Sequence, residues 1–364
     1  MTTTLIVRYL GSITILLFIS LNLLGVSNDS LRVISFPKHI HFYSKIGPNY
    51  SQIEIENPDL PKKLLFKPNP QSLVGFGLSY SWLGLGVSFT MPSSSAEDKK
   101  YGKTQKFDFE AHYTMRKLMV DLTLKSYKGF YLSNPQKFID SWSSSDPYPQ
   151  APNLQTVSLA ASFAYIFKPN IYSPNAAYTF TKAMRRSGGS WMLGGFFSIN
   201  GIVSDTSIIP GVIKQFVDPK LDLNGIVFSN IGVSFGYSHL FTIYKKFFFA
   251  FTLYPGISLQ KVTQYSSIDG SKKEFSTLAL RHIVRASIGR NGNSYYWGLT
   301  TYTESSNVKH NDSQLYLNSG HFEFFIGYRL NTSHWKFMKR VDRFMHPKFL
   351  RFATGNPPDR EMER

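Results

Sequence analysis

Strict alternation between bulky apolar residues and small or polar residues runs through most of the chain after about residue 70. A period of two is the period of a β-strand, whose successive side chains point to opposite faces. Glycine and serine fill a protein core poorly, so we expect the small, polar face to line a lumen and the bulky face to meet lipid. The clearest bulky face carries Ile231, Val233, Phe235, Tyr237, Phe241 and Ile243.

The number of such segments indicates a closed barrel. About a dozen clear strands run from the set that begins at Val74 to the set that ends at Leu330, and an uncertain one covers 43–55. We also predict a short strand around Ala176, Tyr178 and Phe180. A barrel whose two termini lie on the same side of the membrane needs an even number of strands. The prediction is an all-β transmembrane antiparallel β-barrel of 12–14 strands, followed by a short C-terminal amphipathic helix.

Connections of two kinds separate the strands. Tight turns include 244–246, the pair Met115-Arg116 and the Asn-Gly sequence at 291–292, which is a strong hairpin signal. Short turns at one end and long loops at the other are typical of outer-membrane barrels. We assign 204–225 to neither face of the membrane. The predicted long polar loops lie near 92–105, 132–152, 262–275 and 304–315.

The main alternative fold is a soluble, secreted β-sandwich or lipocalin-like barrel. Such a protein would bury Phe and Ile and would expose Lys, Glu and Thr, rather than Gly and Ser. It would also rarely begin a strand with three phenylalanines, as at Phe247-Phe248-Phe249. The pattern therefore favours the membrane barrel.

The N-terminus predicts export. Arg8 precedes an apolar run, Ile13–Leu24, which has the length of a signal-peptide core and is shorter than the roughly 20 residues that span a bilayer. Gly25-Val-Ser27 offers small residues for cleavage between Gly25 and Ser30. We expect a signal peptide at 1–27, the barrel at 28–331 and a periplasmic tail at 332–364, in the outer membrane of a Gram-negative bacterium.

The amino-acid composition agrees with an outer-membrane location. Aromatic residues make up 16% of the chain, as expected where aromatic girdles line two lipid–water interfaces. The absence of cysteine excludes disulfides, lipoprotein anchoring and thiolate metal sites. The net charge of +17 is spread through loops and tail, so we expect outer-membrane lipid as a partner and no nucleic acid.

Charged residues on the inward faces are the candidates for a function inside the lumen. They have two interpretations: ion pairs that fill and stiffen a closed lumen, or a polar conduit or small-ligand site with a local field. No spacing decides between them. The residues are Asp108, Glu110, His112, Asp121, Lys125, Arg281, Arg285, Glu323 and Arg329.

Catalytic and metal chemistry have little support in the motifs. Ser319-Gly-His321, His112 beside Asp108 and Glu110, and Gly188-Gly-Ser190 lack a G-x-S-x-G context or a paired-carboxylate signature. The histidines show no H-E-x-x-H spacing. We therefore expect no enzyme activity, no cofactor and no metal.

A basic stretch follows the last strand. Trp335, Met338, Val341 and Met345 recur at helical spacing, which predicts a basic amphipathic helix stopped by Pro347. Its bulky residues would dip into a leaflet with cations near phosphates, or it would dock on a protein partner, or it would form a disordered tail. The candidate interfacial residues are Trp335, Lys336, Lys339, Arg340, Arg343 and Phe344.

Several short motifs follow one another in a fairly specific order and spacing. They are Phe66-Lys-Pro-Asn69, the Gly-x-Gly-x-x-Tyr-x-Trp strand from Gly75 to Trp82, Tyr101-Gly-Lys-Thr104 with Phe107-Asp108, Tyr127-Lys-Gly-Phe-Tyr131, Ser187-Gly-Gly-Ser190 and Gly236-Tyr237. Together they resemble a Bacteroidota family of outer-membrane β-barrels catalogued as a domain of unknown function, over roughly residues 40–330. The resemblance implies an outer-membrane barrel and supplies no catalytic or binding residues.

Three functions follow from these expectations. The first is a structural or accessory subunit of a larger outer-membrane complex for assembly, secretion or transport, with other outer-membrane or periplasmic proteins as partners. The second is a passive channel or small-solute transporter. A surface hydrolase is a remote third.

Overall fold

The computed structural model describes residues 32–56, 63–114, 117–211, 214, 223–244, 246–310 and 313–345. The predicted signal peptide, the Met115-Arg116 turn and Pro347 lie outside them. Two short helices, α1 (Ser95–Tyr101) and α2 (Met338–Met345), accompany the sheet. The strands are β1 (Val33–Ser35), β2 (His39–Glu56), β3 (Leu64–Lys67), β4 (Ser72–Tyr80), β5 (Leu83–Thr90), β6 (Gln105–Thr114), β7 (Leu118–Leu132), β8 (Gln150–Ile166), β9 (Lys182–Met184), β10 (Gly188–Val203), β11 (Leu223–Tyr244), β12 (Phe247–Ser266), β13 (Lys272–Asn291), β14 (Tyr295–His310) and β15 (Ser313–Asn331).

Twelve strands form one closed antiparallel barrel, as predicted. Neighbours along the chain pair in the order β4, β5, β6, β7, β8, β10 and then β11 to β15, and β2 closes the ring by pairing with both β15 and β4. The uncertain strand at 43–55 is therefore the closing strand. Because every barrel strand has two partners, the ring leaves no unpaired edge.

The barrel has two unlike ends. We call one the turn end, because it carries the tight connections at 81–82, 245–246 and 292–294. The other is the loop end, which carries 91–104 with helix α1 and 133–149. At the loop end β4, β5 and β6 have already stopped, and β3 bridges β2 and β7 in their place.

An apolar band covers the outside of the barrel, and its members belong to the bulky faces that the alternation predicts. An antiparallel sheet that turns this face outward needs lipid rather than water against it. Within the described residues, no helix is long and apolar enough to cross a bilayer. Exposed members of the band include Phe76, Leu78, Phe163, Leu193, Ile231, Val233, Leu253, Ile257, Leu278, Leu280, Phe322 and Phe324.

Outward aromatic side chains gather at the turn end. Tyr and Trp prefer the boundary between hydrocarbon and water, because their rings are amphipathic. This girdle therefore marks one edge of the band. Its exposed members are Tyr165, Trp191, Tyr244, Tyr295, Trp297 and Tyr328.

The interior at the loop end is apolar, which the predicted polar lumen does not anticipate. We call this buried cluster the loop-end core. In β11 the inward Ile226 and Phe228 are bulky, whereas from Ile231 to Phe235 the bulky residues face outward. The hydrophobic face thus switches sides along one strand, as expected where a barrel leaves the membrane and behaves as a soluble one. The core includes Ile53, Ile55, Leu64, Phe66, Phe130, Leu132, Leu154, Ile202, Ile208, Phe228, Val262, Val308, Leu315 and Leu317.

At the turn end, the connection between β8 and β10 folds into the lumen. We call residues 167–187 the plug. The strand predicted around Ala176, Tyr178 and Phe180 is wrong, because Asn175–Thr179 form a π-helical turn inside the barrel. Ala176, Ala177 and Phe180 are fully buried there. The plug ends in β9, which pairs with β1.

Two predicted loops are also wrong. Residues 262–266 and 272–275 belong to β12 and β13, and most of 304–315 belongs to β14 and β15. Lys261 forms an ion pair with Glu274 across the first hairpin, and such pairs suit strands that extend into water. In the unassigned segment 204–225, residues 212–213 and 215–222 lie outside the described part. Ile208 and Ile209 join the loop-end core, which places the segment's described start at the loop end.

The predicted C-terminal helix is present as α2, but its apolar face meets protein. Met338 and Met345 are buried against Tyr80 and Trp82, on the outside of the barrel at the turn end. Tyr80 donates a hydrogen bond to Asp342, and the Trp82 indole donates one to the Met345 carbonyl at 2.7 Å. The expectation that Met338, Val341 and Met345 dip into lipid is therefore wrong. Phe337 and Phe344 are the exposed apolar side chains of this region.

Candidate functional site

A polar cavity of about 150 Å³ lies inside the barrel, between the loop-end core and the plug. We call it the chamber. Its wall is contributed by β2, β4, β6, β7, β13, β14 and β15, and its floor includes Pro174, Asn175, Tyr178 and Thr179 of the plug. Towards the loop end, Asn49, Asp108 and Tyr127 form a buried layer above it.

Ion pairs connect neighbouring and distant strands around the chamber. Lys45 Nζ lies 3.2 Å from Glu110 Oε1 and 3.4 Å from Glu323 Oε2. His112 Nδ1 lies 2.8 Å from Asp121 Oδ1, and its Nε2 lies 3.6 Å from Glu110 Oε2. A continuous chain of charged groups therefore runs from β15 through β2 and β6 to β7.

A second contact crosses the lumen. Arg285 Nη2 on β13 lies 3.5 Å from Asp121 Oδ2 on β7, and its guanidinium carbon lies 5.1 Å from the Tyr302 ring centroid. Lys125 Nζ lies 5.6 Å from the same ring. Two cations from opposite walls thus flank one tyrosine.

Six of the nine predicted lumen residues meet at the chamber. The wall places Glu110, His112, Asp121 and Lys125 on one side and Arg285 and Glu323 on the other. Asp108 faces inward but lies in the buried layer, where it accepts hydrogen bonds from Asn49 at 2.6 Å and Tyr127 at 3.0 Å. Its carboxylate stabilises the layer rather than lining the chamber.

Arg281 and Arg329 also face inward without lining the chamber. Arg281 Nε donates to Glu304 at 2.6 Å, and its guanidinium lies 4.3 Å from the Phe196 ring centroid. Arg329 lies at the turn end, stacked 4.0 Å from the Phe36 ring centroid, and donates to the Phe180 carbonyl of the plug. Arg329 therefore anchors the plug.

The chamber also contains charged and aromatic residues that the sequence pattern did not assign to the lumen. Lys45 was missed because β2 was uncertain, and Glu304 because it fell in a predicted loop. Tyr302 and His321 belong to strands whose inward faces were recognised only in part. Extending the period of two through these strands identifies all four as inward. They are Lys45, Tyr302, Glu304 and His321.

The serine motifs have ordinary local roles in the geometry. The Ser190 hydroxyl is buried, donates to the Trp191 carbonyl at 2.7 Å and accepts from the Lys168 amide at 2.9 Å. His321 stacks on Tyr302 with ring centroids 5.6 Å apart. Among the described residues, no group of three or more metal-ligating side chains is gathered as a metal site.

The closed ring, the outward apolar band and the occupied lumen define a transmembrane β-barrel whose interior holds a plug and a charged chamber. The chain belongs to the family described as domain of unknown function (DUF4421), whose model matches residues 27–330. No curated protein matches the sequence.

The chain also matches solved outer-membrane proteins at low similarity. The toluene transporter TodX of Pseudomonas putida has 8% identity and a TM-score of 0.26, over 81% of this chain and 91% of that one. An outer membrane channel from Pseudomonas putida F1 has 7% identity and a TM-score of 0.34, over 84% and 100%. The translocator domain of the autotransporter NalP from Neisseria meningitidis has 10% identity and a TM-score of 0.36, over 80% and 88%.

Proposed function

We propose that this protein is a closed barrel of a Gram-negative, and specifically Bacteroidota, outer membrane that acts as a structural or accessory subunit of a larger complex. The observation that carries the proposal is the filling of the lumen at two levels. The loop-end core occupies one end, and Phe180 with its neighbours Phe248, Tyr296 and Phe325 occupies the other. A passive pore would need a continuous polar path between those ends.

The charges of the lumen support a structural role. Opposite charges bridge β7 to β13 and β2 to β6, which are not neighbours in the ring, so they hold separate parts of the wall together. We propose that they stiffen the barrel, which is the first of the two interpretations of the inward charges given above. A stiff, filled barrel suits a subunit that presents surfaces to partners.

The C-terminal region supplies a surface for such a partner. The exposed Phe344, Lys339 and Arg340 lie on α2, and the exposed Lys336 and Phe337 directly precede it. The predicted signal peptide supports this orientation, and β2 begins and β15 ends at the turn end. This surface would then face the periplasm. It would meet a periplasmic or outer-membrane protein, with the cations close to lipid phosphates.

Native co-purification from membranes tests the accessory role. We expect the wild-type protein to bring down a stable, stoichiometric partner, and the double variant Phe337→Ser/Phe344→Ser to lose most of it. The matched control is Phe324→Ser, which changes an exposed phenylalanine of the apolar band. A wild-type protein that emerges alone under mild extraction would contradict the accessory role.

A gated small-solute transporter is the second candidate, because the plug is a separate element held in the lumen by side-chain contacts. Opening it would still leave the loop-end core in the path. We therefore rank transport behind the accessory role and propose no catalysis.

A further inference from the structure

The acidic groups of the chamber already have cationic partners. Glu110 and Glu323 share Lys45, and Asp121 is held between His112 and Arg285. Glu304 binds Arg281 and accepts a hydrogen bond from Tyr302. Little acceptor capacity is therefore left for a cationic ligand.

The hydrogen-bond donors of the chamber, in contrast, are not all used. Lys125 reaches the chamber with no carboxylate within 4.0 Å among the described residues, and its recorded contact is the Tyr302 ring. Within the part of the chain that the structure describes, Arg285 donates one hydrogen bond, to Asp121, although a guanidinium carries five N–H groups. Two cations beside one ring, Lys125 and Arg285 beside Tyr302, thus have hydrogen-bond donors that are not used.

The size and the remaining lining constrain what could accept those hydrogen bonds. A cavity of about 150 Å³ accommodates a molecule about as large as benzene. The aromatic faces of Tyr43, Tyr178 and Tyr302 supply apolar contact, and Thr123 and Thr300 add hydroxyls. A compact organic body carrying one anionic oxygen group matches this lining.

The plug is attached to one half of the ring. Its hydrogen bonds to the wall join Tyr172 to Ser238, Tyr178 to Thr252, Ser287 to the Ala177 carbonyl and Arg329 to the Phe180 carbonyl. These partners belong to β11, β12, β13 and β15. Across from it the chamber continues to Ser79, Thr114 and Met119, at the turn ends of β4 and β6 and the start of β7.

We infer that the chamber binds a small organic carboxylate, held between Lys125 and Arg285 against Tyr302, which arrives from the turn end beside the plug. This site goes beyond the proposed accessory role. A filled, non-conducting barrel can hold such a ligand as a stabilising or sensing group. The absence of a transmembrane path does not affect access from one end.

Calorimetric titration of the full-length barrel in detergent tests the inference, with benzoate as the probe and benzamide as its neutral counterpart. We expect saturable binding of benzoate to the wild-type protein, with benzamide at least tenfold weaker, because only benzoate can use the two cations. We expect Lys125→Met to weaken benzoate binding at least tenfold. The matched control Lys128→Met, an exposed lysine on the same strand, should leave it unchanged.

Heat modifiability in gel electrophoresis verifies that each variant is folded. If Lys125→Met fails to fold, the comparison of benzoate with benzamide on the wild-type protein still decides the matter. Equal binding of the two probes, or no saturable binding of benzoate, would overturn the inference. Benzoate binding that survives in a folded Lys125→Met variant would do the same.

Discussion

The carboxylate of Asp121 and the guanidinium of Arg285 meet 3.5 Å apart across the lumen, from strands on nearly opposite sides of the ring. Between β7 and β13, four ring strands lie on one side and six on the other. The pair therefore joins two walls that have no backbone hydrogen bonds to each other. It shows that side chains, rather than open space, occupy the middle of this barrel.

Breaking this pair should destabilise the barrel more than removing both partners. Arg285→Met leaves the Asp121 carboxylate with one fewer cation, and we expect a loss of about 1–3 kcal/mol in the free energy of unfolding. Asp121→Asn should behave similarly. The double variant should lose clearly less than the sum of the two, as measured by urea unfolding in lipid vesicles. Additive losses would show that the two side chains do not stabilise each other.

The loop-end core should respond as a protein core and the outer band as a lipid-facing surface. Phe228 and Phe235 lie on the same strand, but Phe228 is fully buried whereas Phe235 is 50% exposed. We expect Phe228→Ala to cost about 3–5 kcal/mol, as for other buried phenylalanines, and Phe235→Ala to cost clearly less. The same urea titration measures both. Similar costs at the two positions would contradict the proposed switch of the hydrophobic face along β11.

Removing the Arg329 side chain should loosen the plug and leave the barrel strands unaffected. It donates to the Phe180 carbonyl and to the Gly292 carbonyl. Arg329→Met leaves these buried acceptors without their donor, at about 1–3 kcal/mol each. Hydrogen exchange at 172–182 should accelerate roughly 5–150-fold, with β11 unaffected. Arg290→Met, at the outward-facing position preceding Asn291, is the control; an unchanged plug in Arg329→Met would contradict the anchoring role.

Helix α2 should loosen when Tyr80 loses its hydroxyl. Tyr80→Phe removes the hydrogen bond to the buried Asp342, and bonds to charged groups contribute about 1.5–3 kcal/mol. The exposed Lys339, Arg340 and Arg343 then become better trypsin sites. Limited proteolysis with mass spectrometry measures the cleavage rate. Tyr328→Phe, on the exposed aromatic girdle, should leave the rate unchanged.

The fold was largely predictable because lipid imposes one simple rule on every strand. A period of two with bulky residues outward extends through most of β10 to β15, and it identified the barrel, its range of strand number and most inward charges. Glu304 was missed because it fell in a predicted loop, and Lys45 because β2 was uncertain. Both residues obey the period of two.

The rule fails where the surroundings change. Beyond the membrane the interior becomes a core, so Ile226 and Phe228 reverse the pattern that Ile231 and Val233 obey. In the plug, Ala176, Tyr178 and Phe180 have the period of two that is typical of a strand, although they belong to a buried turn. Their burial comes from β12, β14 and β15, which lie far along the chain, so local periodicity cannot reveal it.

The central claim is that the loop-end core and the plug together block a continuous path through the lumen. Planar-bilayer recording of the purified, folded wild-type barrel tests it most directly. We expect no steady conductance above the bare membrane, and we expect the same for Arg285→Ala, because the loop-end core remains in place. A steady large conductance from the wild-type protein would contradict the claim and would favour the channel.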